Sequence, residues 1–208
     1  MDRVIVGIHG LNNKVDAKTL HHWWDASIRE GIRRFGGNNL DYRFELMYWA
    51  DLLYPHPLDA SIQEEEDPRY CRYPFKLVNP NPTTKKYAFR QRALDRFEKM
   101  TDRLLHNRII YNGLEGLSEL YVKNHFRDLD VYVNGGTGYR EAQSRPVREA
   151  ILERFTQLLQ KHKGKKILLI AHSMGSLIAF DLLHQTKNQF EIDVFLTVGS
   201  PLGQPILM

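Results

Sequence analysis

The chain has 208 residues, 42% of them hydrophobic and 26% charged, which is the balance of a soluble globular protein: enough for one domain with a proper core, too short for two full ones. The net charge of +4 comes from dispersed lysines and arginines, and the densest group, Lys161 to Lys166, reads as a solvated helix end. A single cysteine, Cys71, excludes an intramolecular disulfide and suits a reducing compartment. No apolar run approaches the roughly 20 residues of a membrane span. The N-terminus enters a strand-like run without an export signal, so a cytoplasmic protein is expected.

Residues 3 to 8 read as a buried strand that runs into His9-Gly10-Leu11-Asn12-Asn13, a loop whose glycine can bring backbone N–H groups close to a ligand. Ala17 to Phe35 carries Leu20, Trp23, Trp24, Ile28 and Ile32 at helical spacing and predicts an amphipathic helix. A second strand is expected from Tyr42 to Trp49, with Asp51 just beyond it. Residues 55 to 140 then change character. Six prolines and the acidic run Glu64 to Asp67 argue against regular structure as far as Thr84. Helices are expected from Tyr87 to about Asn112 and from 114 to 133, the second ended by Asn134-Gly135-Gly136. An insertion of this length is either a lid or binding surface or a solvated decoration. Its basic side chains Arg92, Arg96, Lys99 and Arg103 alternate with Asp95, Glu98 and Asp102, which describes a solvent face, and no nucleic-acid partner is expected.

Pro146 should open a helix through Val147, Ile151, Phe155 and Leu159. After it, Ile167 to Ile170 is a continuous apolar run, and Leu177, Ile178, Leu182 and Leu183 return to helical spacing. Between them stands Ala171-His172-Ser173-Met174-Gly175, a nucleophile-elbow pattern with alanine at its first small position. A serine in so tight a turn needs small neighbours two before and two after it. Its hydroxyl would stand at a helix N-terminus, where N–H groups and the helix dipole favour a developing negative charge. Residues 192 to 198 read as a fourth strand, followed by Gly199-Ser200-Pro201-Leu202-Gly203.

Strands alternating with helices predict a mostly parallel sheet flanked by helices on both faces, a three-layer α/β sandwich. If the first strand lies between the second and the third, the His9-Gly10-Leu11 loop and Ser173 meet beyond the carboxyl ends of the strands. His9-Gly10-Leu11-Asn12-Asn13, Tyr48 to Leu52, Ile170 to Gly175 and Val198 to Gly203 together resemble an α/β-hydrolase of the lipase and serine-esterase type. The resemblance covers about the first fifty residues and those from about 145 onward. It implies that Ser173 is the nucleophile, that the N–H groups of Leu11 and Met174 form an oxyanion hole, and that the substrate is a small-molecule or lipid-like ester.

The α/β-hydrolase order is serine, then acid, then histidine. The one histidine after Ser173 is His184, about 11 residues further along the same predicted helix and so roughly 16 Å away, beyond hydrogen-bond reach. The acid and base are therefore expected beyond residue 208, and the sheet is expected to lack its C-terminal strands, leaving an edge open to self-association. A lesser alternative uses His9 or His56 as base with Asp51 as orienting acid. A rival of another class is a non-catalytic domain that binds a lipid or a protein partner. No cofactor is expected, and no metal either, because the His21-His22 pair lacks ligand spacing.

Overall fold

The computed structural model describes residues 3–37, 40–76, 127–187 and 189–202. Four parallel strands form one sheet in the order β2-β1-β3-β4, where β1 is Arg3–Ile8, β2 Arg43–Met47, β3 Lys166–His172 and β4 Val194–Val198. The β-branched run Val4, Ile5, Val6 and Ile8 suits the centre of such a sheet, where both faces are covered and alternation disappears. In the register, Ile8 stands opposite both Met47 and Ala171. The carboxyl ends of the three strands are therefore level, and the loop after β1 opens beside the residues that follow β3.

The pleat divides the core in two. Val4, Val6, Ile8 and Leu169 face α3 (Val147–Lys161) and α4 (Met174–Thr186), packing with Ile151, Phe155, Leu159, Ile178 and Leu182. Ile5 and Phe44 face α1 (Ala17–Arg34), against Trp24, Ile28 and Ile32. Full burial of side chains such as Phe155 and Ile151 contributes about 1.5–3 kcal/mol each. Asp16 caps α1 by accepting from the N–H groups of Lys18 and Thr19, both at 3.0 Å. Pro146 occupies the N-cap of α3, one residue before the first-turn place expected for it.

Two strands, β2 and β4, are shorter than the runs expected for them. β2 stops at Met47 because Ala50–Leu52 turns into a short 3-10 helix, and β4 begins at Val194. All five residues of β4 are exposed, and among the described residues its outer edge pairs with no other strand. Residues 55–76 lack helices and strands and touch the body through isolated bridges such as Val15 to Leu58. Of the two helices expected in the insertion, the first lies outside the described residues. The second is described from α2, Arg127–Val133, whose buried side is Asp128, Leu129 and Tyr132. Among the described residues no helix is long and apolar enough to cross a membrane.

Candidate active site

Ser173 joins the last residue of β3 to the first of α4 at φ 52° and ψ −126°. Such a positive φ costs a non-glycine residue on the order of 1–3 kcal/mol and persists only where the surroundings enforce it. The enforcement is visible. The Ser173 N–H donates to the carbonyl of Val198 at 2.9 Å, tying the turn to the end of β4. The Ser173 carbonyl accepts from the N–H of Ser176 at 2.9 Å and from its hydroxyl at 2.6 Å. Having spent its proton there, the buried Ser176 hydroxyl accepts from Ser200 at 2.8 Å, whose oxygen in turn accepts from the N–H of Leu202 at 3.2 Å.

The small neighbours are also explained. A Cβ on Gly175 would stand 2.6 and 2.7 Å from the carbonyl oxygens of Ile8 and His9, which are backbone atoms that cannot step aside. Ala171 is fully buried. A Cβ on Gly10 would come within 2.7 Å of the Ser173 Cβ and 3.0 Å of His172 Nδ1. Glycine thus lets the loop after β1 press directly on the elbow.

His9 shapes that loop. Its ring is buried and stacks on Trp49 with centroids 4.8 Å apart and planes 12° apart. The Trp49 backbone N–H donates to Nε2 at 3.0 Å, so the ring proton is on Nδ1 and is donated to the Gly10 carbonyl at 2.9 Å. The indole N–H returns a bond to the His9 carbonyl at 3.0 Å. Burial holds the imidazole neutral, pulling its pKa down to about 3 against the favourable Gly10 bond, with Lys14 and His172 pushing the same way as burial. Because a trans peptide points its N–H opposite to its C=O, engaging the Gly10 carbonyl turns the Leu11 N–H away from the His9 ring, to the opposite edge of the same peptide.

The next peptide is held at both ends. Asn12 sits at φ 70°, and its N–H donates to Asp128 Oδ2 at 2.6 Å. The Leu11 carbonyl accepts from Lys14 Nζ, which also reaches the Asn12 carbonyl at 2.8 Å. Burial brings Lys14 down to about 8, with Asp128 opposing the shift. Burial, and secondarily the Lys14 charge, also lower the pKa of His172.

The structure therefore gathers His9, Gly10 and Leu11 against Ala171, His172, Ser173, Met174 and Gly175. It does not bring in the other candidates. Both nitrogens of His9 are engaged, so it is not available as a base. Asp51 is taken up by Arg154 at 2.6 Å and Arg140 at 3.2 Å, and among the described residues it contacts no histidine. His56 is exposed, and its carbonyl accepts from the Asn13 side chain at 2.8 Å. His184 lies near the far end of α4, stacked on Phe180 at 6.0 Å. Among the described residues no group of three or more His, Cys, Asp or Glu could hold a metal ion. Sequence reasoning missed Lys14, Tyr54, Asp128 and Ser176 as residues of the site. Lys14 follows the loop motif directly and carried a local signal, whereas the Asn12 contact of Asp128 spans 116 positions.

No curated protein and no solved structure matches the chain. Residues 149–206 match the family model of lecithin:cholesterol acyltransferase, a stretch holding most of α3, then β3, the elbow, α4 and β4. Over those residues the chain is similar to a family of lipid acyltransferases of the α/β-hydrolase type, and together with the parallel sheet this supports the α/β-hydrolase superfamily.

Proposed function

We propose that the protein is a serine hydrolase or acyltransferase acting on a carboxylic ester of lipid-like character. The observation that carries this reading is the strained Ser173 at the strand-to-helix turn, with the Gly10 loop packed against it. The Ser173 Oγ attacks the ester carbonyl carbon while its proton passes to a base, giving a tetrahedral oxyanion. The N–H groups of Leu11 and Met174 receive that charge. Collapse of the intermediate breaks the bond to the alcohol, which departs with the proton and leaves an acyl-serine. Water then yields the acid, or an acceptor alcohol yields a new ester. The similarity over residues 149–206 supports the lipid character of the substrate. No described residue is assigned as that base.

Labelling with a fluorophosphonate, which reacts with activated serines, tests the reading. A single adduct on Ser173 that disappears in Ser173→Ala, with ester hydrolysis lost in parallel, is the expected result. Undiminished hydrolysis by that variant would overturn it. The exposed apolar strand β4, with Val194 at 53% and Leu196 at 47% exposure, favours the second reading, a non-catalytic domain that binds a lipid, a protein or a second copy there. An unlabelled protein that binds lipid vesicles or self-associates would select it.

A further inference from the structure

Among the described residues, the buried Asp128 makes the longest-range hydrogen bond to the loop after β1. Its side chain comes from the first turn of α2, in the C-terminal part of the insertion, yet one carboxylate oxygen accepts from the Asn12 N–H at 2.6 Å and the other from the Tyr54 hydroxyl at 2.5 Å. Tyr54 immediately precedes the insertion and Asp128 lies within it. The residue is 2% exposed, so the carboxylate is withdrawn from water and both bonds are charge-assisted. The Leu11–Asn12 peptide is thereby gripped at its N–H by Asp128 and at its carbonyl by Lys14. It cannot rotate without giving up both. The neighbouring Gly10–Leu11 peptide, held by His9, carries the N–H that the proposed mechanism aims at the oxyanion.

The geometry points to Asp128 as a positioning residue that fixes the Leu11–Asn12 peptide, and through it the direction of the Leu11 N–H; this rests on the serine-hydrolase reading above. The residue touches no reacting atom. Its effect reaches the reaction through the Asn12 N–H and, by its charge, through Lys14 on the same peptide, so its loss should spoil transition-state stabilisation while leaving the serine intact. A misplacement of about 1 Å in such a donor is worth on the order of 100-fold in rate.

The test uses the full-length protein, p-nitrophenyl butyrate as substrate and fluorophosphonate titration of Ser173 to count competent sites. Asp128→Asn, nearly isosteric, is expected to lower kcat per titrated site about 10- to 100-fold with KM within about 3-fold. It should weaken binding of a trifluoromethyl ketone, which forms the tetrahedral oxyanion on the serine, by a similar factor. Tyr54→Phe, which removes only the orienting hydroxyl, should fall between Asp128→Asn and wild type. A merely structural role would lower the number of titratable sites and leave kcat per site unchanged, and that result overturns the proposal. If Asp128→Asn yields no titratable protein, Tyr54→Phe decides on the same criterion. Failure of the wild type to label at Ser173 would overturn the hydrolase reading and this proposal together. Labelling with unchanged turnover in the variants would overturn this proposal alone.

Discussion

The elbow and the loop after β1 stand in contact, yet they are built in opposite ways. The elbow is shaped mostly by residues within a few positions of Ser173, with Val198 as a distant tie: Gly175 and Ala171 clear the space, and Ser176 holds the Ser173 carbonyl from one helical turn away. The loop is shaped from afar, by Trp49 through His9 and by Asp128 through Asn12. A local device changes as a unit with its own sequence, whereas a device assembled from distant elements depends on how those elements dock. The two halves of one site should therefore fail differently when disturbed.

The largest effect is expected at His9. His9→Ala would strip partners from the buried Trp49 N–H and Gly10 carbonyl and leave a cavity beside the indole, destabilising the fold by about 3–5 kcal/mol in denaturant unfolding. A loss below about 1 kcal/mol would mean that the loop holds itself.

Acid should reach the same point. The folded pKa of His9, about 3, lies below the unfolded value of 6.5, so between these values the unfolded chain binds the extra proton. Stability present above pH 6.5 should then fall as the pH drops toward 3, by on the order of 3 kcal/mol by pH 4. His172 and His162 are lowered too and add in the same direction, so His9→Ala should flatten only part of the slope. A stability flat from pH 7 to 4.5 would contradict this assignment.

Gly175→Ala tests the local half. Its new methyl would meet two carbonyl oxygens at 2.6 and 2.7 Å, and a loss of about 2 kcal/mol is expected together with a drop in fluorophosphonate labelling. A labelled, fully stable variant would show that the elbow tolerates bulk.

The smallest effect concerns the anchoring of α4. Asp181 accepts from both Arg148 Nε at 2.8 Å and Nη2 at 2.7 Å, and from the Tyr132 hydroxyl at 2.6 Å. Burial alone would raise this carboxyl, but the Arg148 and Tyr132 bonds more than offset it and hold it below 3.8. Its stabilisation is thus present above about pH 4 and lost on further acidification. Asp181→Asn should cost about 1 kcal/mol at neutral pH, the pair being partly solvated, and should leave His9-dependent behaviour unchanged.

The elbow pattern and the alternation of strands and helices were legible in the sequence because both arise from neighbours in the chain. Periodicity located β1, α1, α3, β3 and α4 to within a residue or two, and steric need identified Gly175. Asp51, by contrast, was read as a candidate orienting acid and is taken up by Arg154 and Arg140. Its neighbours lie far along the chain, and no spacing rule connects them.

The sequence by itself thus determined that a serine would sit in a tight turn between an apolar strand and a helix, since hydrophobic period and small residues are properties of short windows. Only the tertiary structure decided what the rest of the site is. The level ends of β1 and β3 bring Gly10 onto Ser173, the Trp49 N–H selects the tautomer of His9, and Asp128 reaches Asn12 from within the insertion. A hydrogen bond depends on distance and direction in space, and those are settled when the sheet register and the helix docking are settled.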